Sequence, residues 1–388
     1  MSKKHNIIDL INHCRNHQHG VVCLSNGFKD SYGKFEILAG YGAKKEYFDP
    51  SEISNDKFLL GFVGFDFKNK LHQLKSSGKN LTKFPDFYFF EPQEFYSESR
   101  DGTIESNFNF PKYTGPVNSK RPDKWMASTN KNEYLETVNK IQDDIINGVF
   151  YEMNYCIHFE ANEDGEDPYD LFIELNKQTQ SPFAAFVKYN NNFLLCFSPE
   201  RFLQKDNHTL LAQPIKGTLK KSNSDTIALE NFKKSEKERA ENIMIVDLMR
   251  NDLSRISKFG TVKVEELCEL YSFSHVHHLI STVKSEIQSG INNDQIFHAT
   301  FPMGSMTGAP KMEVLKAIEK YENFARGLYS GSVGYYLNGD FDLNVVIRSL
   351  QLSKEKWHYF VGGAIVYDSI AENEYEECLA KLNGIMKK

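Results

Sequence analysis

Lys216 lies in Pro214-Ile215-Lys216-Gly217-Thr218. The proline fixes one dihedral and removes a donor, while the glycine allows close backbone approach or a left-handed turn. That pattern displays an ammonium at a strand-to-turn junction, beside backbone N–H groups within reach of a small anion. A desolvated ammonium loses its proton readily and then serves as a nucleophile. A simply solvated Lys-Gly turn accounts for the same residues.

Two carboxylate pairs have spacing that suits a metal. Glu238 and Glu241 are three apart on one predicted helix; Glu374 and Glu377 are three apart on another, with Lys381 four further on. Such spacings put side chains on one helical face. Two faces meeting across a cleft would offer oxygens to Mg²⁺, which keeps waters and borrows substrate oxygens. Glu-rich faces are equally the ordinary solvated surface of helices. The run Phe301–Lys311, with Gly304, Ser305, Thr307 and Gly308, is a glycine-and-hydroxyl loop entering a helix start, where free N–H groups favour anions. It lacks the P-loop spacing. Gly362-Gly363 gives a weaker signal of the same kind.

Arg348 ends the apolar run Val345-Val346-Ile347 and is expected on a core strand. A guanidinium there needs a carboxylate, from a ligand or from a structural glutamate. His278 is a candidate acid or base, or else a satisfied core histidine. Glu200, sixteen residues before Lys216, could face it across adjacent strands, and opposed titratable groups mark acid/base sites.

The elements that must hold these groups are mostly strands. Aromatic-rich runs broken by Gly, Asn, Asp and Ser predict antiparallel strands at Val21–Leu24, Lys34–Ala39, Lys57–Phe67, Asp86–Phe90 and Ile104–Phe110. A basic, Pro/Gly-containing crossing segment follows, from Lys112 to Ser128. Asn130 and Glu133 form a predicted capping box for a helix with Leu135, Val138, Ile141 and Ile145 on one face. Further strands are expected at Val149–Phe159, Phe183–Tyr189, Phe193–Phe197, Tyr329–Leu337, Leu343–Leu350 and His358–Tyr367. One long helical tract is expected over 223–256, a helix with Met312, Leu315 and Ile318 buried after Pro310, and a last helix at Glu372–Met386.

The chain has 388 residues, enough for a large core, and a net charge of −6 gives no reason to expect nucleic acid or an anionic membrane as partner. No apolar run approaches the ~18 residues of a membrane span. Six scattered cysteines without a C-x-x-C pair fit free thiols in a reducing cytoplasm. His13, Cys14, His17 and His19 are irregularly spaced on a polar segment and are expected to be surface histidines rather than a metal cluster.

Taken together, several stretches resemble the chorismate-utilising enzymes, and most closely their aminodeoxychorismate synthase component I branch. They are Tyr151–Tyr155, Ser198–Phe202, Pro214–Thr218, Glu241–Asp252, Gly304–Lys311, Gly327–Gly331 and Glu374–Glu377, in family order from about residue 125 to the C-terminus. The resemblance implies an α+β fold: mostly antiparallel sheets packed as a sandwich, helices outside, and an active-site cleft between. Residues 1–124 are expected to form an N-terminal β-rich region packed on a chorismate-binding catalytic core, residues 125–388.

The same resemblance implies chorismate as substrate and Mg²⁺ as cofactor, held by Glu241 and Glu377 with Glu238 and Glu374 helping directly or through water. It implies that the Gly217 and Thr218 amides meet the ring carboxylate. Tyr329, Arg348 and Gly363 would grip the enolpyruvyl carboxylate, Lys381 would add positive charge near the metal-bound end, and Ser305 and Thr307 would line the site. Glu200 is implied as general acid, with His278 a further catalytic candidate.

Lys216 selects the branch: anthranilate synthases carry a small residue there, and the isochorismate and salicylate synthases place their essential lysine elsewhere. In the aminodeoxychorismate branch the lysine is thought to attack ring C2 as the C4 hydroxyl leaves, after which ammonia adds at C4, yielding 4-amino-4-deoxychorismate for p-aminobenzoate and folate synthesis. This requires an unprotonated amine, so a lowered Lys216 pKa is expected. No segment resembles a glutaminase, which implies a separate glutamine amidotransferase subunit as ammonia source. Met303 and Met306 depart from the usual residues of their loop. No tryptophan-binding segments are recognisable near the N-terminus. A catalytically silent chorismate-binding subunit would have lost a metal carboxylate, and all four are present.

Overall fold

A computed structural model describes residues 4–76, 78–221, 225–273 and 276–386, with the Thr218 side chain and those at 220, 225–227, 234 and 237 outside the described set. Four strands and two helices position the site: β1 (Glu152–Asn162), β2 (Ile215–Lys220), β3 (Val276–Glu286), β4 (Lys356–Ile365), α1 (Glu236–Ser254) and α2 (Ala371–Met386).

Successive antiparallel ladders lead from β1 to β4, then through Ser349–Ser353, Asn192–Ser198, Phe183–Tyr189, His19–Leu24, Phe35–Tyr47, Phe87–Ser99 and Phe58–Val63. They continue through Ser332–Leu337, Asp340–Asn344, Arg201–Asp206 and Thr209–Gln213 to β3 and Lys263–Ser272. β2 follows Thr209–Gln213 along the same edge of β3. The sheet folds back on itself, so its two ends meet: Lys216 Nζ on β2 lies 3.1 Å from Glu152 Oε1 on β1. N-terminal strands are inner members of this path, since His19–Leu24 and Phe58–Val63 each pair with strands from beyond residue 180.

Apolar side chains on both faces explain why the strands hold. One core cluster gathers Tyr134, Phe172, Phe197, Trp357 and Leu382; another gathers Met249, Leu253, Phe297, Phe301 and Phe341. Each fully buried large side chain contributes roughly 1.5–3 kcal/mol. The helix Lys131–Ile146 starts at the expected Asn130–Glu133 capping box and buries Tyr134, Val138 and Ile141.

Several expectations need correction. The 223–256 tract is two helices, Asp225–Lys234 and α1, because Ser235 leaves helical geometry and its hydroxyl caps the Glu238 N–H; residues 223 and 224 lie outside the described set. The strand expected at Leu343–Leu350 is interrupted: Arg348 adopts φ +50° between Asp340–Asn344 and Ser349–Ser353. Tyr329 sits in the turn before Ser332–Leu337. Met312 is exposed while Val314, Leu315 and Ile318 face the core. Helices Ile7–His13, Pro168–Thr179 and Asn293–Thr300 and the strand Lys263–Ser272 were not anticipated.

The histidines near the N-terminus are not at the surface: His13 is buried and His17 and His19 are half-buried, because Glu94 and Glu46 draw their rings inward. The cysteines are free thiols. Among the described residues no helix is long and apolar enough to cross a membrane.

Candidate active site

The β2–β3 ladder slips by one residue between Lys216 and Thr218. Gly217 occupies that bulge at φ +80°, where a Cβ would come within 2.7 Å of Glu238 Oε2. The left-handed backbone favours glycine, and any larger residue would also push Glu238 aside. The bulge turns the Gly217 carbonyl toward His278 Nδ1, 3.1 Å away on the facing strand. A carbonyl only accepts, so in the neutral ring Nδ1 carries the proton and Nε2 keeps its lone pair. Burial, with the nearby Arg348 charge, lowers the His278 pKa to about 4, leaving the ring neutral at physiological pH.

Lys216 is withdrawn from solvent against Glu152, itself 1% exposed. Burial acts to lower the ammonium pKa, but Glu152, Glu241 and Glu200 more than offset it, and the net shift is upward. The expected depression is therefore not seen: this cluster of carboxylates holds the proton on Lys216. Glu152 Oε2 has no hydrogen-bond partner among the described residues. Its role was missed from the sequence, although a carboxylate opening an aromatic strand was the available signal.

Glu200 lies where the chain turns from Ser198-Pro199 into Arg201–Asp206, with its amide bonded to Ser198 Oγ at 3.1 Å. Its Oε1 accepts from Ser305 Oγ at 2.7 Å. Burial raises the Glu200 pKa to about 7, against the opposing pull of Ser305 and Lys216. Ser305 thus joins the site directly. The Thr307 hydroxyl is committed within its own loop, donating to the Met303 carbonyl at 3.1 Å. Two buried cations fix that loop: Lys311 reaches Asp252 on α1, and Arg326 bonds Glu322, the Met306 carbonyl and the Asn154 carbonyl. Neither was singled out from the sequence, because their partners are remote or lie in other elements.

Arg348 is half-buried, and no carboxylate is paired with its guanidinium among the described residues. Burial lowers its pKa and the Tyr359 hydroxyl only partly opposes this. The Tyr329 ring stacks on Phe360 at 5.7 Å, and burial raises the phenol pKa well above its ordinary value, so the hydroxyl stays protonated. Gly363 on β4 faces α2, where an added Cβ would sit 3.1 Å from Glu374 Oε2. Lys381 links the same elements, bonding the Gly362 carbonyl and Glu377, each at 2.8 Å.

The four carboxylates therefore lie in two places, Glu238 and Glu241 beside Gly217 and Lys216, and Glu374 and Glu377 beside Gly363 and Lys381. No three of them bring oxygens within 4.8 Å of one another. The donor set is all oxygen, which suits a hard divalent cation that retains waters between its carboxylates. The Thr218 side chain lies outside the described residues; its backbone pairs with His278.

A profile of the chorismate binding enzyme family matches residues 29–387. The chain is 37% identical over 268 residues to aminodeoxychorismate synthase component 1 of Escherichia coli, covering 68% of this chain and 59% of that protein. It is 35% identical over 252 residues to the Bacillus subtilis protein of the same name, covering 64% and 53%. To anthranilate synthase component 1 of Aquifex aeolicus it is 33% identical over 277 residues, covering 70% and 56%. The matches thus span between half and three fifths of these relatives. In three dimensions the chain is similar to anthranilate synthase component I from Streptococcus pneumoniae, with TM-score 0.81, 24% identity, and 93% and 94% of the two chains covered. It is also similar to the menaquinone-specific isochorismate synthase of Escherichia coli, with TM-score 0.80, 15% identity, and 99% and 91% covered. At those identities the likeness is one of fold.

Proposed function

We propose that this chain, which belongs to the chorismate binding enzymes, acts as the synthase component that converts chorismate and ammonia to 4-amino-4-deoxychorismate. The observation that supports the reading is a buried lysine, Lys216, held at 3.1 Å by Glu152 and within the field of a second carboxylate, Glu200, whose pKa of about 7 makes it protonatable near neutrality.

Lys216 must first lose a proton, and Glu152 is the adjacent acceptor. The Lys216 Nζ–C2 bond then forms as the ring double bonds shift and the C4–O bond breaks. Glu200 gives its proton to the departing hydroxyl, which leaves as water. Ammonia forms the C4–N bond as the double bonds shift back and the C2–Nζ bond breaks; the proton that ammonia sheds restores Glu200, and Glu152 returns its proton to Lys216. Arg348 offers its guanidinium, which pairs with no carboxylate among the described residues, to a substrate carboxylate, the bidentate use for which that group is suited. Neutral His278 and the Tyr329 hydroxyl add uncharged polar contacts. Glu241 and Glu377, with Glu238 and Glu374, would hold Mg²⁺, which when bound supplies Lewis-acid help to the leaving oxygen.

The ammonia source would be a separate glutamine amidotransferase subunit, and the reducing compartment a cytoplasm. The competing outcome is anthranilate or isochorismate synthesis at the same chorismate site. Incubating the purified chain with chorismate, Mg²⁺ and excess ammonium at mildly alkaline pH separates them. Aminodeoxychorismate, converted to p-aminobenzoate only when a separate lyase is added, is the expected product. Anthranilate or isochorismate would overturn the reading.

A further inference from the structure

Away from that site, three side chains converge. His13 Nε2 lies 2.6 Å from Glu94 Oε2, His17 Nε2 lies 3.4 Å from the same oxygen, and the two Nε2 atoms are 3.2 Å apart. His13 closes the helix Ile7–His13, His17 follows the short turn Cys14–Asn16, and Glu94 lies on Phe87–Ser99. Tyr41 and Phe110 each meet the His13 ring edge-on at 4.8 Å, walling it in apolar surface.

Hydrogen bonding alone serves this triangle poorly. A neutral imidazole has one N–H and one lone pair. If both Nε2 atoms carry hydrogen and donate to Glu94, the two N–H groups crowd each other at 3.2 Å; if either does not, its lone pair faces the carboxylate or the other ring. His13 Nδ1 is buried and bonded to nothing among the described residues, so no outside partner settles its tautomer. Three potential ligand atoms gathered this closely suit a cation better. Zinc with nitrogen and oxygen ligands at about 2.0–2.2 Å places tetrahedral ligand atoms about 3.3 Å apart. Two of the three edges already have that length, and the third has the length of a charge-assisted hydrogen bond that would open as the ion enters. Room is also kept: Gly42 sits at φ +63°, and a Cβ there would come within 3.2 Å of His17 Nδ1 and 2.8 Å of Gln93 Oε1.

We propose that His13, His17 and Glu94 form a binding site for a divalent transition metal of the zinc class, which fastens the N-terminal helix to the sheet. Water completes its fourth position. Because His13 Nδ1 lacks an outer partner, affinity is expected to fall tenfold to a hundredfold short of a fully supported His₂Glu site, on the order of micromolar.

The test uses the full chain, freed of metal by chelator and kept in excess Mg²⁺ so that all-oxygen sites are occupied. Titration with Co²⁺ should give one equivalent with the intense visible absorption of a tetrahedral ion, abolished by Zn²⁺, and Zn²⁺ should raise the Tm. His17→Gln and Glu94→Gln, both at half-buried positions, should weaken Co²⁺ binding at least tenfold and remove the Zn²⁺-dependent rise in Tm, whatever small shift they make in the metal-free Tm. Glu160→Gln probes the other close histidine–carboxylate group, His158, Glu160 and His358, and should leave binding intact. Absence of the Co²⁺ spectrum together with no Zn²⁺-dependent Tm shift would overturn the proposal. So would unchanged binding in His17→Gln and Glu94→Gln, or binding lost only in Glu160→Gln.

Discussion

Arg201 gives Nε to Asp342 Oδ1 at 2.8 Å and Nη2 to Asp342 Oδ2 at 2.9 Å, with Asp30 and Gln213 on the rest of its fork. Arg348, half-buried, has no such carboxylate among the described residues and lies beside His278 and Tyr359. One cation belongs to the scaffold and arrives with its counter-charges; its pKa is raised accordingly. The other carries a desolvation cost that the protein leaves unrelieved. A group kept in that condition is one that a ligand's carboxylate would complete. The same contrast separates the Arg326–Glu322 pair, which ties the Phe301–Lys311 loop to β1, from Lys216, whose carboxylate neighbours hold its proton in place and which the proposed reaction would have to deprotonate.

The contrast can be broken by substitution. Glu200→Gln, which keeps shape but gives no proton, is expected to lower kcat by about 10²–10⁴ with little change in KM, measured by product formation. The same variant tests burial. Wild-type Glu200 has a folded pKa of about 7 above its unfolded value, so its stabilising contribution is complete below the unfolded pKa and lost as pH rises through about 7. The stability of Glu200→Gln relative to wild type should therefore rise as pH increases from about 4.5 through about 7. Arg201→Met should cost roughly 3–5 kcal/mol by denaturant unfolding, since two carboxylates lose their partner. Arg348→Met should leave stability unchanged or slightly higher, yet raise KM by about 10- to 100-fold, the worth of a charged hydrogen bond at roughly 1.5–3 kcal/mol. A large fall in stability for Arg348→Met would erase the distinction between the two arginines. Met312→Glu, at an exposed helix position, should change stability by no more than about 0.5 kcal/mol.

Local signals were legible in the sequence where the physics is local. The Asn130–Glu133 box is a four-residue pattern, and the Phe183–Tyr189 and Asn192–Ser198 hairpin turns at Asn190 with φ +52°. The segments that make the site were also legible as motifs, and Glu200, Lys216, Ser305, His278 and Gly217 do come together. What was not legible depends on long-range placement. Glu152 becomes a partner of Lys216 only because the sheet folds its ends together across 64 positions. Arg348 follows three β-branched residues in Val345-Val346-Ile347, which read as unbroken strand; its left-handed backbone is set by tertiary context. The sign of the Lys216 shift failed for the same reason, since burial and a facing Glu200 were foreseeable but the approach of Glu152 and Glu241 was not. Glu94 lies 81 residues from His13, so the histidine spacing alone pointed to the surface.

The central claim is that Lys216 bonds covalently to the substrate ring. Intact-protein and peptide mass spectrometry after mixing the chain with chorismate and Mg²⁺, without ammonium, tests it directly. The expected result is an adduct of chorismate less water on the peptide bearing Lys216, discharged as aminodeoxychorismate when ammonium is added and absent from Lys216→Ala. An adduct on another residue, or a Lys216→Ala chain that forms the amino product at the wild-type rate, would contradict it.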